Sequence, residues 1–86
     1  MPTVTLRAPL KDLAGGNSTL DLDGDTVGEV LRTLEGSWPK TRGWVLDETG
    51  RLRQHVNVFV NGEKVREDAA VRAGDRLHVL PSITGG

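Results

Sequence analysis

The run His55-Val56-Asn57-Val58-Phe59-Val60-Asn61-Gly62-Glu63-Lys64-Val65-Arg66 decides how this chain folds. Val56, Val58 and Val60 alternate with Asn57 and Phe59, the period of a strand with one face in a core and the other outside it. Asn61-Gly62 follows at once. A type I′ turn needs positive φ at both central residues, and Asn-Gly supplies it at little steric cost. Lys64 to Arg66 is then the short return strand of a hairpin.

On the C-terminal side, Ala73-Gly74-Asp75 reads as a turn and Arg76 to Leu80 as a last strand, with Leu77 and Val79 inward and Arg76, His78 and Leu80 outward. Pro81 has no amide donor and is expected to end the ladder. On the N-terminal side, Thr3 to Pro9 alternates with Val4, Leu6 and Ala8 on one face. Turn residues Gly15, Gly16 and Asn17 follow, and Leu20 and Leu22 then complete a first hairpin. Thr26 and Glu29 have capping-box spacing, while Val27, Val30, Leu31 and Leu34 recur at helical spacing. The resulting helix of about nine residues is expected to stop at Gly36. Ser37 to Gln54 shows no sustained period and reads as a long loop with one short helical or extended piece.

This order gives an α+β chain: a mixed sheet of four to five strands with one main helix on one face. With the first and last strands paired at the centre, Val4, Leu6, Val27, Leu31, Leu34, Val58 and Val79 form the core. The other sheet face stays open and shows Phe59, His78 and Leu80. An outward aromatic asks for cover. Trp38 or Trp44 of the long loop could supply it, or a partner could.

Composition narrows the function. At 86 residues the chain makes one domain, 1–86, since cores divide only well above about 200 residues. Eleven Lys and Arg against 12 Asp and Glu leave a net charge of −1, which gives no reason to expect nucleic acid or an anionic membrane as partner. There is no cysteine; this excludes disulfides, thiol nucleophiles and thiolate metal sites and fits a reducing, cytoplasmic setting. No apolar run approaches the roughly 18 residues of a membrane helix, and Met1 to Gly16 lacks a signal-peptide core. A stability of about 4–13 kcal/mol leaves little room for a strained catalytic cleft and favours a carrier, modifier or binding module.

Motif chemistry removes more. His55 and His78 have no partners at metal-ligand spacing, and no metal site is expected. Asp21, Asp23 and Asp25 begin like a calcium loop, but the glycine falls at the fourth position and Arg32 stands where the bidentate Glu belongs. Asn17-Ser18-Thr19 matches a glycosylation acceptor with nothing around it to suggest export. Phosphate loops, dinucleotide fingerprints and nucleophile elbows are missing from the sequence.

What remains is the end of the chain. Pro81-Ser82-Ile83-Thr84-Gly85-Gly86 follows the last strand and is expected to project as a tail. Two glycines can pass a channel too narrow for side chains and present the α-carboxylate at the tip. That group is inert until a nucleotide-dependent partner activates it. A frayed end would show the same dipeptide.

The dipeptide has company. Ala73-Gly74-Asp75-Arg76-Leu77-His78-Val79-Leu80-Pro81-Ser82-Ile83-Thr84-Gly85-Gly86 resembles the closing motif of the ubiquitin-like sulfur carriers of the ThiS/MoaD type, G-D-x-φ-x-φ-φ-P-x-φ-x-G-G with φ apolar. His55 to Glu63 resembles their central hairpin and Asp25 to Leu31 their helix start. Ser37 to Gln54 matches least; its length looks unlike the compact thiazole carriers and more like the actinobacterial cysteine-synthesis carrier, with the molybdopterin synthase small subunit close behind.

The resemblance implies a ubiquitin-like β-grasp fold and no enzymatic activity of the chain's own. An E1-like adenylating enzyme would use MgATP to activate Gly86, which would then become a thiocarboxylate and donate sulfur to a biosynthetic acceptor enzyme. Gly86 would hold the reactive carbonyl and Gly85 give passage. Pro81, Ser82, Ile83 and Thr84 would form the arm, and Phe59, with His78 and Leu80 on the last strand, the docking surface. No bound cofactor is implied. A modifier joined to lysines through Gly86 would use the same adenylate, and a plain β-grasp interaction module would need no free terminus.

Overall fold

The computed structural model describes residues 1–81, Pro81 by its backbone alone. Five strands form one sheet: β1 (Thr3–Leu6), β2 (Thr19–Asp21), β3 (Val56–Val60), β4 (Glu63–Val65) and β5 (Arg76–Pro81), in the spatial order β2-β1-β5-β3-β4. β1 and β5 run parallel at the centre, with Val4 opposite Leu77 and Leu6 opposite Val79, and every other pairing is antiparallel. The expected mixed sheet and its central pair are therefore present.

The main helix, α2 (Val27–Ser37), begins where the capping signal placed it. The Glu29 amide donates to Thr26 Oγ1 at 3.2 Å, but the Glu29 carboxylate accepts from the Thr26 hydroxyl at 3.4 Å instead of from a backbone amide. The next helical amides are satisfied from outside: Val27 N–H donates to the Ala69 carbonyl at 3.0 Å and Gly28 N–H to that of Glu67 at 2.8 Å. A Cβ on Gly28 would meet that Glu67 oxygen at 3.2 Å, so residue 28 is small because the strap from Glu67 to Ala69 crosses closely.

Val27, Val30, Leu31 and Leu34 of α2 are wholly buried against Val4, Leu6, Val58, Leu77 and Val79 of the sheet. All seven residues expected in the core are there. Burying side chains of this size contributes about 1.5–3 kcal/mol each, which makes this single layer contact the chief source of stability.

Three local expectations are corrected. β1 ends at Leu6, and the chain passes through the cis Ala8–Pro9 peptide into a short helix, α1 (Leu10–Leu13), before β2. Leu10 and Ala14 are buried, so the stretch between Pro9 and Gly15 is a core-facing turn of helix and not the end of a strand. Gly36 does not stop α2; the helix runs on to Ser37, and the Trp38 amide closes it by donating to the Leu34 carbonyl at 2.8 Å. β5 runs one residue further than expected, with Pro81 itself a rung opposite Val56. A proline costs a strand its amide and not its carbonyl, so the terminal position tolerates it.

The segment from Ser37 to Gln54 is the long loop expected, with its short helical piece, but it also reaches the core. A 3₁₀ turn at Pro39–Thr41 and a bridge between Leu46 and Leu52 deliver Val45 and Leu46 to the core. Thr41 is fully buried and satisfies its hydroxyl on the Trp38 carbonyl at 2.7 Å. Trp38 packs over Gly15, which has φ +70 and where a Cβ would lie 2.7 Å from the indole ring.

Candidate functional site

Alternation sends every second residue of the sheet away from α2, and the register lines these residues up. Lys64, Phe59, His78, Thr5 and Thr19 form one row across β4, β3, β5, β1 and β2. Asn57 and Leu80 form the next rung between β3 and β5. Directly opposed residues of an antiparallel pair have Cβ atoms about 4.5–5.5 Å apart, so Phe59 and His78 are in reach of each other without any rearrangement.

Phe59, His78 and Leu80 line one shallow concavity of about 310 Å³ together with Arg7 and Gly62. Phe59 and Leu80 are half-buried and His78 is exposed. The floor is apolar, Arg7 supplies positive charge at the rim, and no acidic residue lines it. Neither tryptophan covers it: Trp38 packs on the core near Gly15, and Trp44 is exposed and absent from the lining. Among the described residues, therefore, no tryptophan covers the aromatic.

The turn behind this concavity is held rigidly. Asn61 and Gly62 have φ +51 and +89, as a type I′ turn requires. The Asn61 side chain donates to Asp75 Oδ1 at 3.0 Å and accepts from the Arg76 amide at 3.0 Å, tying the hairpin to the start of β5. The Arg72 amide donates to Asp75 Oδ2 at 2.8 Å. This bond, followed by the one from Asn61, holds the Asp75 carboxyl below the usual carboxylate range. β3 and β5 therefore present Phe59 and His78 on a braced frame.

The remaining expected site residues, Ser82, Ile83, Thr84, Gly85 and Gly86, lie outside the described residues. Pro81 belongs to β5, so an arm would begin after it. Among the described residues no group of His, Asp or Glu could hold a metal ion, and no helix is long and apolar enough to cross a membrane. The concavity offers a surface to bind with and no nucleophile paired with a base.

Known proteins place this frame. Residues 4–86 match the ThiS family. The chain is 40% identical to small archaeal modifier protein 1 of Haloferax volcanii, over 94% of this chain and 95% of that one. It is 32% identical to the sulfur carrier protein CysO of Mycobacterium tuberculosis, over 98% and 97%. Among solved structures, the BexX/CysO complex of Amycolatopsis orientalis superposes with a TM-score of 0.89 at 30% identity, covering all of both chains.

Proposed function

Because the chain belongs to the ThiS family of ubiquitin-like sulfur carriers, we propose that it works through its last residue: Gly86 is adenylated by an E1-like enzyme and converted to a thiocarboxylate. The chain is a protein co-substrate and not a catalyst. In the first step a Gly86 carboxylate oxygen attacks the α-phosphorus of MgATP and pyrophosphate leaves. In the second a sulfide-level nucleophile attacks the acyl carbon and AMP leaves, so the sulfur stays on the carrier. The thiocarboxylate then passes its sulfur to an acceptor enzyme. Cysteine synthesis is the branch favoured by the likeness to the mycobacterial carrier and by the extended 37–54 segment.

One observation carries this reading: the strand that carries His78 and Leu80 into the docking concavity, β5, is the last element before Gly86 in the sequence. Gly86 lies six residues beyond Leu80, a reach of at most about 22 Å when fully extended. A partner seated on Phe59, His78 and Leu80 thus has the carboxylate within the span of its own body, and docking and delivery share one element. A solved partner complex of a family member supports a role exercised through protein partners.

A second reading has its own observation. The 40% identity to a small archaeal modifier favours a chain that also forms amide bonds to lysines through Gly86, since the acyl adenylate is open to attack by an amine as well as by a sulfur nucleophile. The test incubates the protein with an E1-like adenylating enzyme, MgATP and sulfide, and reads the intact mass. Exchange of one terminal oxygen for sulfur supports the carrier. Peptides bearing a Gly-Gly remnant on lysine, recovered from cells, support the modifier. A protein unchanged in both experiments contradicts both.

A further inference from the structure

A second concavity, of about 640 Å³, lies beside the first, between the 51–57 segment and the β3–β4 hairpin. Arg51, Arg53, Lys64 and Arg66 line it, together with His55. Four of the eleven cations of a chain with net charge −1 are thus gathered in one groove. Asp47 is the one acid in the lining, and its Oδ1 already accepts from the Thr49 amide, the Thr49 hydroxyl and the Arg51 amide at 2.8, 2.6 and 3.1 Å. Glu67 is close by, engaged with the Leu52 amide at 3.0 Å and with Arg66 at 3.5 Å. Arg51, Arg53 and Lys64 have no ion-pair partner among the described residues. The groove lined by Arg32, Arg42 and Arg53, by contrast, also holds three acids, Glu35, Asp47 and Glu48.

The basic groove continues the docking face. Lys64 is paired with Phe59 across β3 and β4, Asn57 with Leu80, and Val56 with Pro81, so the groove opens at the end of the sheet where β5 leads toward the terminus. We propose that this groove receives an acidic segment of the protein partner that docks on Phe59, His78 and Leu80. The inference rests on the docking role given to that face. Nucleic acid is the poorer occupant: four cations next to an apolar face are a small footprint beside the 600–1,000 Å² or so that even one DNA-binding module buries.

The test is a titration of the full-length, isotope-labelled protein with octaglutamate, followed by amide chemical shifts, with octalysine and an eight-nucleotide thymidylate strand as controls. Octaglutamate is expected to shift Arg51 to Asn57 and Lys64 to Arg66, and to weaken steeply with added salt. The double variant Arg53→Glu/Lys64→Glu, and separately Arg53→Gln/Lys64→Gln, should raise its Kd at least about ten-fold with the remaining shifts intact. Shifts spread equally over Arg7, Arg72 and Arg76 would overturn the proposal, as would no shifts, or tighter binding of thymidylate. None of these outcomes involves Gly86, so the carrier reading stands or falls separately.

Discussion

The two faces of the sheet use the same strands to opposite ends. Toward α2, Val4, Leu6, Val58, Leu77 and Val79 are sealed; on the other side, Thr5, Phe59, His78 and Leu80 meet solvent to varying degrees. Because strand side chains alternate, each strand contributes stability with one set of residues and leaves the next set nearly free of it. A sheet covered on one side only can therefore change its open face to suit a partner while its fold stays as it is. The 37–54 segment supports the covered face through Val45, Leu46 and Thr41.

Truncation on the covered face is expected to have the largest effect. Leu31→Ala leaves a cavity under α2 and should cost about 2–5 kcal/mol in urea unfolding, a large share of what a domain of this size possesses. A loss under about 0.5 kcal/mol, the range of ordinary surface changes, would break the distinction between faces. Gly15→Ala comes next. It combines φ +70 with a Cβ 2.7 Å from the Trp38 ring and should cost about 1–3 kcal/mol, with a change in tryptophan fluorescence. Thr26→Ala removes the hydroxyl that caps α2 and should cost about 0.5–2 kcal/mol.

On the open face, Phe59→Ala should change stability by less than about 1 kcal/mol, the scale of a cross-strand pair, while weakening the complex with an activating enzyme. Unfolding of that variant would show the open face to be a second core. The smallest effect concerns Asp75, whose carboxyl lies below its ordinary range through the Arg72 amide and the Asn61 side chain. A carboxyl lowered by folding adds stability above its unfolded pKa and loses it as pH falls through the folded value. Acid unfolding of Asp75→Asn should accordingly be less steep in that window than that of the wild type.

Legibility in the sequence followed period and turn chemistry. Strands flanking Asn61-Gly62 and the helix behind Thr26 declared themselves because alternation, helical spacing and caps each act within a few residues. The helix at Leu10–Leu13 was masked by Pro9 and by its length of one turn, although Leu10, Leu13 and Ala14 do have helical spacing. Val45 and Leu46 reach the core through a 3₁₀ turn and an isolated bridge, which impose no repeat to read. Phe59, His78 and Leu80 could be placed on one face from strand phase alone. The basic groove could not, since Arg51 and Arg53 meet Lys64 and Arg66 only once the hairpin folds back.

Removing the terminal residue separates the fold from the end of the chain. Deleting Gly86 retracts the carboxylate by roughly 3.5 Å, while reacting groups must come within about 3–3.5 Å. Intact mass after incubation with an E1-like adenylating enzyme, MgATP and sulfide would be read beside the melting temperature on the same samples of wild type and of the Gly86 deletion. The oxygen-to-sulfur mass gain is expected in the wild type alone, at equal melting temperatures. Equal sulfur loading of the deletion variant would contradict the carrier reading.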